Sequence, residues 1–432
     1  MKRILLITSL CVLAGFSFAQ KKAVKDAKSA MKKDIPEART LIKPALTDPE
    51  TANDPETWKL AGDIEYTAFD NERTLEMQKQ FTGKGGNEEA MYTGLYNMYD
   101  PYIKADELGQ LPNEKGEVKN KVRKDIVKNM LDGHKYFING GVFYNDKQNY
   151  KRAADFFERY WEMPTLAMFE GSKEAFVIDS IFQTIKYYAV ISSIQSQDHA
   201  RSIKLLNKIM AEPYIANTTY KESDVYELLA SEYQQVEDSL SYVKTLREGA
   251  QKFPSNKYFT PNLINEFIRG GKVSEALTYL DQAIANDPSN TCDLMSVKAS
   301  LYAEQKNYDE AAPAYTAAIA ADPNCERALE GLGVLYVLQA QDLKEKASQA
   351  ASRREQAEMD KQTSELYLKA LPYLEKYYDL LKAKNADTYE VRPALMKLQN
   401  VYYNLSLLDV DKSSELKVID DALKAITGET EE

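Results

Sequence analysis

The sequence predicts an all-α chain built as an α-solenoid of stacked helix pairs. Three observations predict it. A phrase is written twice, "KVSEALTYLDQAIANDPSN" from Lys272 and "NYDEAAPAYTAAIAADPN" from Asn307. The helix upstream of each copy repeats too, with Phe267, Tyr302 and Tyr336 spaced 35 and 34 residues apart and small Ala299 and Gly333 spaced 34 apart. Each phrase also ends in Asp-Pro, at Asp287-Pro288 and Asp322-Pro323, where proline stops one helix and the chain turns into the next. A period of this length marks units that shelter their apolar faces only by stacking.

The first residues, "MKRILLITSLCVLAGFSFAQ", read as a secretory leader over 1–19. Lys2 and Arg3 form the basic start, Ile4 to Phe18 the apolar run, and Ala19 the cleavage point. Leu10 stands before Cys11 where a lipoprotein signal places a small residue, so lipid anchoring is disfavoured. No other run is long and apolar enough to span a bilayer, so the cleaved chain is expected not to cross a membrane.

Residues 20–215 read as degenerate helical repeats carrying an insertion. Ala38/Ile42 and Ala153/Phe157 fit a second helix, and Trp58, Ala61 and Gly62 fit a first helix. The period breaks from Phe69 to Asn120. There "FTGKGGNEE" reads as a loop, and Pro112-Asn113 with Lys115-Gly116 signal a small hairpin near 108–120. Residues 216–427 read as the better-formed array, with first helices "LEGLGVLY" and "LMKLQNVY" and a second helix at Ala370/Leu374. Strong helix formers from 339 to 371 predict elongated helices on one pair. Pro372 is expected to kink or start a helix, and Pro313 to sit early in its own. Residues 428–432 are expected to be a disordered tail.

Composition fits a globular chain with much half-buried surface: of 432 residues, 44% are hydrophobic and 28% charged, and Tyr numbers 29 against Trp 2. The formal net charge is −11, and −13 once Lys2 and Arg3 leave with the leader. Such a chain is repelled by nucleic acid. Cys292 and Cys325 survive cleavage. Export permits a disulfide, but with no sign that their backbones approach, two small buried or free thiols are the favoured expectation.

No catalytic, cofactor or metal residue stands out. His134 and His199 lack partners at ligand spacing, and no HExxH, CxxC or GxSxG occurs. "TGKGG" at 82–86 lacks the spacing and preceding strand of a phosphate loop and reads as a solvent loop. "KVRKDIVK" at 121–128 spreads its charges around a helix. What remains is surface. First helices line the concave side of such a stack, and the repeat alignment assigns it Asp224, Glu227 and Ser231; then Tyr258, Asn265, Ile268 and Arg269; then Ser296, Ser300 and Glu304; and then Arg327, Glu330 and Val334.

The 34-residue period, the small-then-aromatic pair and the Asp-Pro ending resemble the tetratricopeptide repeat (TPR), strongly from Lys257 to Tyr336, moderately to Tyr402 and weakly in the N-terminal third. The insertion "LPNEKGEVKNK" and the phrase "KALPYLEKYYDLL" are similar to those of secreted multi-repeat bacterial members. The resemblance implies a right-handed superhelix and a non-catalytic, exported scaffold that binds a protein or peptide, in the periplasm, at the outer-membrane face or secreted. One subset of the family clamps acidic C-terminal peptides with Lys, Arg and Asn. Here Asn265 matches one slot, while Asp224, Glu227, Asp293 and Glu304 stand where cations are needed, so an acidic-tail ligand in this groove is disfavoured. The rival reading is carbohydrate binding or hydrolysis in the N-terminal third, with "MYTGLYNMYDPYIK" (Met91 to Lys104) stacking on sugars. The helical spacing of those tyrosines favours core packing instead.

Overall fold

The computed structural model describes residues 21–427 apart from 114, 173 and 174. The leader at 1–19 and the tail at 428–432 lie outside them. The described chain is helical throughout, without a strand. After α1 (21–30) come α2 (Ile35–Ile42), α3 (Pro55–Thr82), α4 (Glu88–Gly109), α5 (Arg123–Asp146), α6 (Tyr150–Glu162), α7 (Ser180–Gln195), α8 (His199–Ala211) and α9 (Glu222–Gln235). They are followed by α10 (Ser239–Lys252), α11 (Phe259–Arg269), α12 (Val273–Asn286), α13 (Thr291–Glu304), α14 (Tyr308–Ala321), α15 (Glu326–Ser348), α16 (Arg353–Ala383), α17 (Thr388–Leu407) and α18 (Ser413–Thr427). Odd-numbered helices are the first of each pair and even-numbered the second.

Two compact units divide within α10, one ending at Tyr242 and the other starting at Val243, rather than at 215. In the first unit one core gathers Ala38, Leu60 and Ile64, and a second runs from Phe69 to Leu229. In the second unit one core centres on Ala299, Tyr315 and Leu332, and another on Tyr367, Leu398 and Ile419.

The repeated phrases place their stripes inward as their spacing dictates. Ala276 and Leu280 on α12, and Ala311 and Tyr315 on α14, are buried. Each large apolar side chain so placed contributes about 1.5–3 kcal/mol. The small slot has a direct cause: a Cβ on Gly333 would sit 2.6 Å from Leu374 of the partner helix α16. Asp287 and Asp322 follow the last helical residues of α12 and α14, so both Asp-Pro signals end helices.

A turn of one kind joins the helices of six pairs. Gln148, Gln197, Glu237, Gly271, Lys306 and Asp409 all take the left-handed backbone, with φ between 57° and 67°. The next N–H reaches back five residues, as from Asn149 to Tyr144, Asp198 to Ser193, Asp238 to Tyr233 and Asn307 to Tyr302. This closes the first helix with a Schellman motif. The same next residue then caps the second helix, since Asn149, Asp198 and Asp238 accept from the backbone N–H of Arg152, Arg201 and Ser241.

Several expectations need correction. The break in period at Phe69 falls inside α3, which continues to Thr82, and the loop expected at 81–89 is the short connection 83–87 to α4. The segment near 108–120 holds the end of α4 and a tight turn without strands. Asn113 makes that turn by exchanging backbone bonds with Glu117 and Gly116 while its Oδ1 accepts from Lys115 and Glu117. The elongated pair is present as α15 and α16, but Pro372 neither starts nor ends a helix, because α16 runs through it. Pro313 lies inside α14, past the first four free N–H groups. Cys292 and Cys325 are joined as a disulfide, their Cα atoms 5.9 Å apart, rather than standing as thiols. Stacked layers bring equivalent repeat positions together, which the linear sequence does not display.

His134 on α5 gives the first unit an acid-sensitive joint. Its ring stacks on Tyr160 with centroids 4.1 Å apart, meets Phe176 edge-on, and donates Nε2–H to the Tyr160 carbonyl at 3.1 Å. Burial holds its pKa down at about 4, against 6.5 for an ordinary histidine. The unfolded chain therefore takes up a proton first as pH falls. Stability from this group is complete above pH 6.5 and drains away as pH falls towards 4, by about 1–2 kcal/mol at pH 5. His134→Gln is expected to flatten that part of a urea-unfolding profile taken from pH 7 to pH 4.5; an unchanged slope contradicts the assignment.

Candidate protein-interaction surface

The expected groove residues fall in both units. On α9, Asp224 is occupied as a cap: its carboxylate accepts from Lys221 N–H at 2.9 Å and from Ser223 Oγ at 3.2 Å. Glu227 and Ser231 are half-buried on the same helix. In the second unit Tyr258 is the residue before α11, its carbonyl accepting from the Asn262 side chain at 2.7 Å. Asn265 is exposed, Ile268 half-buried, and Arg269 pairs with Glu266 at 2.5 Å.

Ser296 is out of reach of a partner. It is fully buried, donates to the Cys292 carbonyl at 2.6 Å, and lies 3.6 Å from Cys325 Sγ, so the disulfide covers it. Ser300 is half-buried and turned inward to the Ser296 carbonyl and the Tyr315 hydroxyl. Glu304 and Arg327 are exposed.

Glu330 and Val334 lie where two first helices, α15 and α17, run side by side. There Val334, Val337, Leu338 and Gln341 face Pro393, Met396, Lys397 and Asn400 across a hollow of about 410 Å³. A second hollow adjoins it, sharing Met396 and Asn400 and reaching Tyr403 and Leu416. Leu338 is 40% exposed, Met396 52% and Tyr403 54%, an unusual run of apolar groups on open helix faces. The rim is polar and already paired: Lys397 meets Glu330 at 3.0 Å, Gln399 meets Asp420 at 2.7 Å, and Lys344 meets Asn404 at 2.9 Å. An apolar floor with a charge-balanced rim suits an apolar face of a peptide or protein better than a small charged metabolite.

The first unit has a smaller hollow of the same kind between first helices α5 and α7, where Val142, Phe157, Tyr188 and Ile191 surround about 350 Å³. No residue of it was expected. The contribution of α17 was also missed, because "LMKLQNVY" fits the repeat only fairly, with Gln399 in the small slot.

The residues of the rival reading are committed elsewhere. Tyr92, Tyr99 and Tyr102 of α4 are buried. Tyr96 is held between Arg152 and Arg159, whose guanidinium carbons stand 3.1 and 3.6 Å from its ring centre. Burial pushes Tyr92 up to about 12, as expected for a phenol held in a core. His199 is paired with buried Glu232 at 3.1 Å. Among the described residues no three His, Cys, Asp or Glu side chains gather as a metal-binding group, and no helix is long and apolar enough to cross a membrane.

Residues 297–358, spanning most of α13, all of α14 and α15 and the start of α16, match a tetratricopeptide-repeat family model. Among solved structures, the chain is similar to the C-terminal part of a TPR repeat-containing protein from Cytophaga hutchinsonii, at 13% identity over 68% of this chain and 96% of that one, with a TM-score of 0.42. It is also similar to a TPR repeats protein from Bacteroides fragilis, at 15% identity over 68% and 98%, with a TM-score of 0.31. A third is YrrB, described as a TPR protein with an unusual peptide-binding site, at 17% identity over 48% and 94%, with a TM-score of 0.30. No curated protein matches the sequence. The family match is thus to residues 297–358, within a chain that is built of helix pairs along its described length.

Proposed function

We propose that the protein is a non-catalytic, exported scaffold that holds a partner protein by an apolar segment laid between α15 and α17. The observation that carries this reading is the continuous apolar floor from Val334 and Leu338 to Met396 and Tyr403, left open on the face that first helices present. Two features support export: the leader pattern at 1–19, and a cystine, which persists where thiols are not kept reduced. A place in envelope assembly is part of the same proposal.

The test places a charge on the floor. Val334→Glu with Met396→Glu charges the floor at exposed Met396 and at half-buried Val334, so circular dichroism checks that the fold survives. Partners recovered by crosslinking the tagged chain in its own cells are expected to fall at least about tenfold, the effect of an uncompensated buried charge. Unchanged recovery with an unchanged circular dichroism spectrum contradicts the groove.

A further inference from the structure

At one edge of each stack, the end of a second helix meets the start of the next first helix, and a linker crosses. In the first unit, the edge made by the ends of α6 and α8 and the start of α7 is filled by the long linker 212–221. Glu212 accepts from Lys186 Nζ, and from Trp161 Nε1 at 3.2 Å. Tyr220 stacks on Tyr187 with centroids 4.3 Å apart, and its hydroxyl accepts from the buried Gln183 amide at 2.5 Å. One carboxylate and one aromatic ring of the linker thus plug that edge.

The corresponding edge of the second unit lies between the ends of α10 and α12 and the starts of α11 and α13. Its linker spans only 287–290, too short to fold back, and a cavity of about 590 Å³ is left open. The wall presents the cations Arg247 and Lys257, the amides of Gln251, Asn286 and Asn290, and the ring of Tyr279. Neither cation is ion-paired with a described residue. Arg247 lies over Phe267 and Tyr279, 5.2 and 5.9 Å from their ring centres, which holds it in place without neutralising it. Asp287 is the one carboxylate in this lining, and it is engaged by Ser289 Oγ at 2.5 Å. The disulfide fixes the first turn of α13 next to Asn290, so that side of the cavity is set before any ligand arrives.

We propose that this cavity is a second peptide site, taking a partner's segment in which an aromatic ring lies close to a carboxylate. The wall complements what plugs the sister edge: cations for a carboxylate, amides for backbone groups, and a ring for a ring. The proposal rests on the binding function above but uses residues that share nothing with the α15–α17 groove.

The chain supplies its own probe, the nonapeptide EPYIANTTY of residues 212–220. A fluorescein-labelled copy is titrated into the full chain and followed by anisotropy. Saturable binding below 1 mM is expected, weakened at least about fivefold when the peptide's glutamate becomes glutamine. Arg247→Gln with Lys257→Gln is expected to weaken binding at least about tenfold. Lys257→Glu alone, which leaves the Arg247 stack intact, is expected to act in the same direction. Val334→Glu with Met396→Glu should change nothing. Absence of saturable binding, or binding that ignores the cation variants, overturns the cavity assignment. Loss of binding only in the groove variant moves the peptide to the groove, which overturns the cavity and leaves the proposed function standing.

Discussion

Arg123→Ala is expected to destabilise the first unit by about 3–5 kcal/mol, the usual result of leaving a buried charge without its partner. Arg123 holds the carboxylate of Asp106 through two parallel bonds of 2.7 Å each. Asp106 is only 4% exposed, near the end of α4. Asn120 joins the two helices at this point. Its amide donates to Asp106 Oδ1 at 2.7 Å, while its Oδ1 accepts from the backbone N–H of Val122 and Arg123 and so starts α5. The whole insertion 110–122 is closed by this latch. Removing Arg123 leaves the buried carboxylate the Asn120 amide but no counter-charge, whereas removing both charges with Asp106→Leu and Arg123→Leu is expected to restore more than half of the loss, because a paired charge costs desolvation that leucines avoid. Equilibrium urea unfolding of the two variants checks this. A loss under about 1 kcal/mol for Arg123→Ala would mean that the pair is solvated like a surface ion pair.

The second large effect belongs to the disulfide. Cys292 opens α13 and Cys325 precedes α15, so the bond clips two successive layers across the intervening α14. The closed loop spans a sequence separation of 33 residues. Chain entropy assigns a cross-link of that size roughly 3–4 kcal/mol. Cys292→Ala with Cys325→Ala should lower stability of the second unit by that amount, and dithiothreitol should do the same to the native chain and nothing to the variant. Equal urea midpoints with and without reductant contradict the role given to the bond.

The sequence made the second unit legible because its repeats are regular: a small slot, an aromatic three residues on, and Asp-Pro endings each have one physical meaning, and Gly333, Tyr336 and Pro323 serve as expected. Other signals were present but unread. Gln148-Asn149, Gln197-Asp198, Glu237-Asp238 and Lys306-Asn307 mark the turn of each pair, yet the left-handed position is usually sought through glycine, and only Gly271 is one. The repeat period is lost past Phe69 because residues 70–79 of α3 carry no inward apolar stripe and Met77 and Phe81 are exposed. The disulfide and the burial of Ser296 depend on how layers approach in space, which no spacing rule supplies. For the candidate surface, aligning first helices located Val334 on α15 but not its facing residues Pro393, Met396 and Lys397, since one helix cannot name what runs beside it.

The proposed function requires that α15 and α17 offer their continuous apolar floor to a partner. Site-specific photocrosslinking in cells tests it most directly, with a photoreactive phenylalanine analogue at Leu338 or at Met396 and, as control, at exposed Leu368 of α16. Leu338 and Met396 are expected to capture the same partner protein, and Leu368 none of it. Capture from Leu368 with silence at both floor positions would contradict it.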